Sequence, residues 1–463
     1  MRIRRIIDLM RESLASADRD YTSMGVRRAI LLLSVPMVLE LSMESLFALV
    51  DAFFVGRIGT SAVAAVGLTE SVMVVVYSIA WGLSMGVTAL VSRRVGEKDA
   101  EGASRSAMQG IWVGLLASLL LGSPMLFQAR HILTLMGASD AVLQQGGSYA
   151  TILFGGNLVI MGLFVINAIF RGAGNAAMAM RALLVANAVN IVLDPLLIFG
   201  WGPFPELGLT GAAVATTIGR GVGVGYQLRH LFGRGMGIHI RRAHLRWVPR
   251  VAGELVRVSL GGIGQFLIAS ASWMFLMRIV ARSGDGALAG YTFAVRVIIF
   301  SMLPSWGMAN AAATLVGQNL GAQRPERAER SAWLCGHYNM RFMVGVALLF
   351  WAFAPDILAV FTKDPIVAGH GVMALRIVCL GYFFYGYGMV LSQAFNGAGD
   401  TLTPTWMNVI CFWMLEIPLA WVLASQAAWG PRGVFTAIAV SESALAVLSA
   451  WLFRKGKWKS VKV

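Results

Sequence analysis

One segment of this chain occurs twice, and this repeat restricts the fold more than any other feature of the sequence. Residues 81–107 match residues 306–332 at a constant shift of 225 (321 − 96 = 225), with identical residues at ten positions. The segment is hydrophobic at its start, polar around Gly96 and basic after it. A repeat of this kind in an apolar chain predicts two homologous membrane bundles that face one another.

The composition indicates an all-α polytopic membrane protein. Hydrophobic residues make up 57% of the chain and charged residues 13%, whereas a soluble domain is about 25% charged. Apolar runs of about 20 residues, the length of a spanning helix, recur along the chain. A spanning β-barrel would instead show alternation over about 10 residues. Twelve spans are predicted, at residues 29–56, 66–91, 105–126, 143–170, 178–200, 208–230, 254–280, 287–316, 332–354, 370–395, 403–425 and 432–453.

Further matches extend the repeat over most of the chain. Residues 170–175 (FRGAGN) pair with 395–400 (FNGAGD) at the same shift, and Gly211 pairs with Gly433 at a shorter one (433 − 211 = 222). Six spans per half give both halves the same orientation, related by an axis along the membrane normal, with a central cleft as the substrate path. We expect a cytoplasmic amphipathic segment at 1–28, a first lobe at 29–230 (helices 1–6), a cytoplasmic linker at 231–252, a second lobe at 253–453 (helices 7–12) and a basic cytoplasmic tail at 454–463.

Two sets of glycines suggest local backbone structure. Gly96 and Gly321 follow apolar runs, so we expect each to be the left-handed residue that ends a helix. The Gly-Ala-Gly sequences at 172–174 and 397–399 predict tight turns between helices. No predicted strand precedes them and no Lys-Ser or Lys-Thr follows, so they do not resemble a phosphate-binding loop.

The net charge of +15 is distributed as in a membrane protein rather than a nucleic-acid-binding protein. Basic residues are concentrated on one side of the predicted spans, at 93–105, 171–181, 229–250, 324–330 and 454–462. Because cationic loops remain in the cytoplasm, we expect a multi-pass protein of the inner (plasma) membrane with both termini cytoplasmic. Residues 1–28 lack the pattern of a signal peptide. They could form an amphipathic helix on the inner leaflet, and a solvated tail is an equal alternative.

Acidic residues within the predicted spans are concentrated in the first lobe. A charged side chain at a helix centre costs about 2.5–3.5 kcal/mol by insertion scales, so such residues indicate function. The repeat does not conserve them, since Asp51 corresponds to Leu276 and Glu40 to Gln265. This asymmetry predicts a cation site in the first lobe. The acidic residues are Glu40, Glu44, Asp51, Glu70, Asp194, Glu416 and Glu442.

Helical spacing brings several polar residues together. Asp51 follows Glu44 by seven residues and Glu40 by eleven, so all three share one face. Asn187, Asn190 and Asp194 also share a face, and Pro195 deprives a carbonyl of its helical partner. Such oxygen-rich surroundings suit H⁺ or a hard monovalent cation such as Na⁺. Asp194 could instead brace a kinked helix, Glu40 and Glu44 could line a vestibule, and Glu70 could lie in water at the end of its span.

Five motifs resemble those of multidrug and toxic compound extrusion (MATE) transporters. Residues 50–57 (VDAFFVGR) look like the first-helix signature of the family. The other four are 170–175 (FRGAGN), 190–195 (NIVLDP), 211–216 (GAAVAT) and 315–322 (LVGQNLGA). The resemblance covers roughly residues 25–453.

The resemblance implies twelve helices in two lobes and the export of organic, often cationic compounds driven by inward H⁺ or Na⁺. In prokaryotic members with a first-lobe site, the cation is bound by residues that match Asp51, Asn190, Asp194 and Thr216. Another branch adds a glutamate on the seventh helix, where this chain has Gln265 as its most polar central residue. This departure favours the DNA-damage-inducible-type branch, coupled through the first lobe.

The substrate contacts are less evident from the sequence. Aromatic residues are dense at 382–387, and Tyr382 and Tyr385 are our candidates for lining a cavity, because aromatic faces attract organic cations. Arg296 and Arg376 are intramembrane cations that could pair with a carboxylate such as Glu416. We expect small cationic or lipophilic substrates, contact with membrane lipids, no nucleic-acid partner and a monomer.

Other functions remain as alternatives. A lipid or lipid-linked oligosaccharide flippase of the same superfamily would need a large cationic cavity. A receptor or scaffold would not need buried acids in one lobe. No catalytic triad, metal-ligand spacing or nucleotide motif indicates an enzyme, and the three cysteines lie in apolar spans without a metal-binding pattern, so no cofactor is expected beyond the coupling ion.

Overall fold

The computed structural model describes residues 2–15, 19–233 and 238–462, with side chains from residue 8 onward. Within these ranges the chain is α-helical apart from turns and short 3₁₀ and π segments. Part of the expected linker, Arg234 to Gly237, lies outside the described residues. The expected amphipathic segment forms a helix, but the side chains that would define its apolar face are mostly outside the description.

The first half of the chain forms nine helices in the described ranges. They are α1 (Arg2–Leu14), α2 (Val26–Gly56), α3 (Thr60–Gly96), α4 (Ala100–Phe127), α5 (Ala129–Leu135), α6 (Asp140–Gly155), α7 (Asn157–Gly172), α8 (Ala176–Ile198) and α9 (Leu209–Phe232).

The second half contains α10 (Pro249–Ala281), α11 (Asp285–Gly321), α12 (Pro325–Ala359), α13 (Pro365–Cys379), α14 (Tyr382–Gly397), α15 (Leu402–Asn408), α16 (Ile417–Trp421) and α17 (Pro431–Arg454). The π segments Val409–Glu416 and Val422–Gln426 follow α15 and α16.

In the described chain, nine helical stretches are long and apolar enough to cross a membrane, or eleven if each of two bent pairs counts as one span. The bent pairs are α6 with α7, at 42°, and α13 with α14, at 61°. The remaining predicted span, the sixth at 208–230, corresponds to α9, which is long enough but carries Thr216, Thr217, Arg220 and Gln227 among its apolar residues. All twelve predicted spans therefore correspond to helical stretches.

The structure agrees with the prediction for one set of glycines and contradicts it for the other. Gly174 and Gly399 both have φ of +87°, as expected for tight turns. The prediction for Gly96 and Gly321 is wrong, because each is the last residue of its helix. The left-handed residues come two positions later, at Lys98 and Gln323, which are themselves related by the repeat.

Close packing between the halves explains why Gly96 and Gly321 lack side chains. A Cβ on Gly96 would lie 2.0 Å from the carbonyl oxygen of Gln318, and one on Gly321 would lie 2.1 Å from that of Arg93. Arg93 and Gln318 are also related by the 225-residue shift (318 − 93 = 225). The two contacts are therefore equivalent, and an approximate twofold axis passes between the ends of α3 and α11.

A second pair of contacts obeys the same symmetry deeper in the molecule. A Cβ on Gly82 would lie 2.4 Å from the side chain of Ile263, and one on Gly307 would lie 2.7 Å from the backbone of Val38. Ile263 and Val38 correspond under the repeat (263 − 38 = 225). In the described chain, each tight glycine contact between the halves has the C-terminal half of α3 or α11 on at least one side, so the halves meet near that end.

Both terminal segments lie at this same end and connect the two halves. The Tyr21 hydroxyl donates to the carbonyl oxygen of Gly174 in the first half, at 3.0 Å. Arg324, which immediately precedes α12, donates to the carbonyl oxygen of Thr22, at 2.7 Å, and Arg327 of α12 donates to that of Tyr21, at 3.0 Å. We call these residues the terminal clamp. The Arg93 side chain likewise bonds the carbonyl oxygen of Val461 in the tail.

An aromatic cluster lies between the halves, next to the contacts of Gly82 and Gly307. Trp81 and its repeat equivalent Trp306 meet edge to face, with centroids 5.5 Å apart. Phe266 stacks on Trp81 at 5.4 Å, and Phe164 meets Trp81 edge to face, also at 5.4 Å. The cluster joins α3, α7, α10 and α11 at the level where the tight contacts end.

Candidate functional site

Three of the predicted coupling residues lie together in the first half of the chain. The Asn190 side-chain amide donates to the Asp194 carboxylate on the next turn of α8, at 3.3 Å, and lies 3.3 Å from the Thr216 hydroxyl on α9. Asn190 and Asp194 are fully buried. The remaining oxygens, Asn190 Oδ1 and Asp194 Oδ2, are buried without a hydrogen-bond partner. Because buried polar atoms normally have partners, these oxygens are available for a proton or a cation.

The fourth predicted residue faces this cluster from α2. Asp51 lies within electrostatic range of Asp194, and also of Glu70 on α3 and Arg220 on α9. It is partly buried, whereas Asp194 is buried completely. Four helices, α2, α3, α8 and α9, thus place three carboxylates and one guanidinium around a common interior. Arg220 was not identified from the sequence, although an arginine within a predicted span was a usable signal.

The other two acids of α2 form ion pairs. Glu40 is buried and contacts Arg171 of α7, with Oε1 and Nη1 2.8 Å apart. Glu44 contacts Arg220 at 3.4 Å. The acidic stripe that the sequence predicted on the first span, which is α2 in the structure, therefore faces protein along its length. Asn187 of the predicted α8 stripe also faces α2, since its amide donates to the Met43 carbonyl oxygen at 3.3 Å.

The second lobe has a neutral equivalent of the Glu40–Arg171 ion pair. Gln265 occupies the position of Glu40 (265 − 40 = 225), and Asn396 that of Arg171 (396 − 171 = 225). Their amides form reciprocal hydrogen bonds, Gln265 to Asn396 at 2.9 Å and Asn396 to Gln265 at 3.1 Å. Helix α10 therefore presents a paired amide where α2 presents a paired carboxylate.

A large cavity is lined, apart from Met85, by residues of the second half of the chain. Its volume is about 540 Å³, and five methionines and six aromatic side chains line it, a size within the range of small-molecule sites. Tyr385 lines the cavity, whereas Tyr382 is fully buried, packs against Phe350 and lies 3.2 Å from the Ser301 hydroxyl. Gln265 and Arg296 also contribute to the walls.

Two acids of the second lobe lie at this cavity. Glu442 lines the cavity. Glu416 lies behind the cavity wall, and its carboxylate accepts hydrogen bonds from Ser272 at 2.6 Å and Ser441 at 3.1 Å. The suggested pairing of Glu416 with an arginine is wrong. Arg376 instead donates to the Trp351 carbonyl oxygen and lies over its ring.

No three His, Cys, Asp or Glu side chains of the described residues form a group that could hold a metal ion. The first-lobe cluster combines carboxylates with an amide and a hydroxyl. Oxygen ligands of this kind match hard cations, and they also offer a proton a carboxylate to bind.

Comparison with known proteins decides the family. The MatE sequence model matches residues 36–196 and 263–422, which together make up more than half of the chain. The chain belongs to the MatE family. It is therefore a membrane transporter of that family and not an enzyme, and the predicted all-α polytopic fold is confirmed.

Relatives from other organisms match almost the entire chain. The probable multidrug resistance protein NorM of Thermotoga maritima is 25% identical over 439 residues, which cover 94% of this chain and 93% of the relative. A MATE protein whose crystal structure was solved in complex with MaL6 is 26% identical to this chain, with a TM-score of 0.89. The match covers 94% of this chain and 97% of that protein. A MOP superfamily transporter from Pyrococcus furiosus, described as having a binding pocket of reversed polarity, also has a TM-score of 0.89, at 26% identity and coverage of 96% and 98%.

Proposed function

We propose that this MatE protein exports organic compounds across the inner membrane in exchange for H⁺ or Na⁺. The observation that carries the proposal is the pair of buried, unpartnered oxygens on Asn190 and Asp194, close to Thr216 and in electrostatic range of Asp51. Leaving such oxygens without hydrogen bonds is costly. A bound cation, or a proton on one carboxyl, would relieve that cost.

Alternating access would connect ion binding to export. The halves meet at the end that carries both termini, and the positive-inside rule places that end in the cytoplasm. We therefore interpret this conformation as closed to the cytoplasm. The coupling ion would favour one conformation only through a difference in affinity between the two. Helices α2, α8 and α9 carry the cluster, so a change in their packing would alter that affinity.

Drug-like substrates are proposed because the relative from Thermotoga maritima is described as a probable multidrug resistance protein. A methionine- and aromatic-rich cavity supports this, because both types of side chain adapt to varied apolar ligands. The flippase alternative is not favoured, since Arg296 is the only arginine or lysine among the described residues that line the cavity and Glu442 is also present.

Coupling through the first lobe is the proposed branch. Helix α10 has no acid after Glu254, and Gln265 is already paired with Asn396. Division into two lobes at 29–230 and 253–453, cytoplasmic termini and a monomeric state are parts of the same proposal.

Efflux of ethidium from proteoliposomes tests the function. Wild-type protein should export the dye when a pH or Na⁺ gradient is imposed, and the effective gradient names the coupling ion. Asp51→Asn should abolish gradient-driven efflux. Asp140→Asn removes an exposed aspartate at the start of α6 and should leave efflux unchanged. Undiminished efflux in folded Asp51→Asn protein would contradict the proposal.

A further inference from the structure

We propose that the cavity of the second lobe binds the organic cation substrate, with Glu442 as its counter-charge and Glu416 as a second carboxylate behind it. This proposal rests on the proposed export function and adds a location for the substrate within the molecule. It separates two tasks, since the coupling ion would bind in the first lobe and the substrate in the second.

The charge balance of the cavity favours a cation. Glu442 and Glu416 are buried, with exposed fractions of 6% and 3%, and neither forms an ion pair with a described residue. Arg296, which also lines the cavity, is exposed and lies in electrostatic range of Glu70 in the first lobe. The two second-lobe carboxylates therefore lack a neighbouring protein cation, and burial of an uncompensated carboxylate is unfavourable.

A second observation points to a missing ligand. The Tyr291 side chain lines the cavity and is 2% exposed, yet its hydroxyl has no hydrogen-bond partner. Its ring stacks on Phe435, which fixes the hydroxyl in position, and it lies in electrostatic range of Glu416. An unpartnered buried hydroxyl in electrostatic range of a carboxylate that has no cation is the arrangement expected of a binding site without its ligand.

The apolar walls fit the rest of such a molecule. Trp273, Trp306 and Phe266 offer aromatic faces, which attract organic cations. The Tyr385 hydroxyl faces Glu442 and keeps the carboxylate at the cavity wall. The cavity therefore has one carboxylate in a largely aromatic and thioether surface, which suits a delocalised or quaternary cation with apolar substituents.

Equilibrium binding of two ions of matched shape tests the proposal. Tetraphenylphosphonium and tetraphenylborate have nearly the same size and opposite charge. The full chain in nanodiscs, corrected for binding to empty nanodiscs, should bind the phosphonium at least tenfold more tightly than the borate. Glu442→Gln should weaken phosphonium binding at least tenfold. The matched control is Glu326→Gln, an exposed glutamate at the start of α12, and it should bind as wild type does.

Phosphonium affinity unchanged in Glu442→Gln, or equal affinity for the two ions in wild type, would overturn the proposal. If Glu442→Gln does not fold, a single cysteine at Ser392 in the cavity wall replaces it as the test. Phosphonium should slow maleimide labelling of Ser392→Cys, and labelling that phosphonium leaves unchanged would equally overturn the proposal. Binding needs no gradient, so loss of efflux with charge-selective binding intact would count against ion coupling alone.

Discussion

Replacing Glu40 by Gln should destabilise the protein, because the change leaves the Arg171 guanidinium buried without its carboxylate. The Glu40 and Arg171 side chains are 2% and 7% exposed, and their charged atoms lie 2.8 Å apart. At an effective dielectric constant of about 20, their attraction is roughly 6 kcal/mol before desolvation is subtracted. Removing one member of such a buried pair typically costs about 3–5 kcal/mol.

The second lobe shows how the loss can be repaired. Gln265 and Asn396 occupy the equivalent positions and satisfy each other with two hydrogen bonds. The double variant Glu40→Gln with Arg171→Asn places the same amide pair in the first lobe. It should therefore recover most of the stability lost in Glu40→Gln, because no uncompensated charge remains.

Thermal unfolding in detergent, followed by the loss of monodisperse protein, measures this effect. A unit the size of one lobe shifts by about 2–4 °C per kcal/mol, so the single variant should melt roughly 6 °C or more below wild type. The double variant should melt within a few degrees of wild type. Glu326→Gln, at an exposed position, is the control for the substitution itself.

Two results would refute this reasoning. If the melting temperature of Glu40→Gln equals that of the wild type, the ion pair does not stabilise the fold. If the double variant melts as low as the single one, the amide pair cannot replace the ion pair, and the equivalence of the two sites does not extend to energetics.

Two further predictions concern the end where the halves meet. Gly96→Ala should favour separation of the halves there, because its Cβ would lie 2.0 Å from the Gln318 carbonyl oxygen. The rate at which a cysteine introduced at that interface is labelled should therefore rise. Gly225→Ala, where the added Cβ meets open space, is the control and should be labelled at the rate of the parent protein. Equal labelling rates in the two variants would show that the halves do not pack this closely. Tyr21→Phe removes the hydrogen bond from the terminal clamp to Gly174 and should raise the same labelling by a few-fold, while an unchanged rate would show that the clamp does not hold the halves together.

Much of the architecture could be predicted from the sequence, because hydropathy and the repeat are local patterns. A run of about 20 apolar residues must form a helix in lipid, where every backbone group needs an internal partner. The shift of 225 residues predicted two related halves, and the reciprocal contacts of Gly96 and Gly321 obey it. The spacing of Asn190 and Asp194 likewise predicted that they share a helix face, where the structure shows a hydrogen bond between them.

Other features depended on which helix faces which. The partners of Glu40 and Glu44, Arg171 and Arg220, are far away in sequence, so spacing along α2 could not reveal the ion pairs. The acid in the second lobe that lines a cavity is Glu442, and only its position beside α14 and α11 shows this.

The sequence by itself determined the class of protein, the positions of twelve apolar helical stretches, the internal symmetry and the polar stripes, because each follows from residue type and helical period. Tertiary structure decided the charge balance. It paired Glu40 with Arg171, paired Gln265 with Asn396 at the equivalent place in the other half, and left Glu442 without a cation. Whether a buried charge is compensated depends on neighbours brought together by folding, and a linear pattern carries no distances between helices.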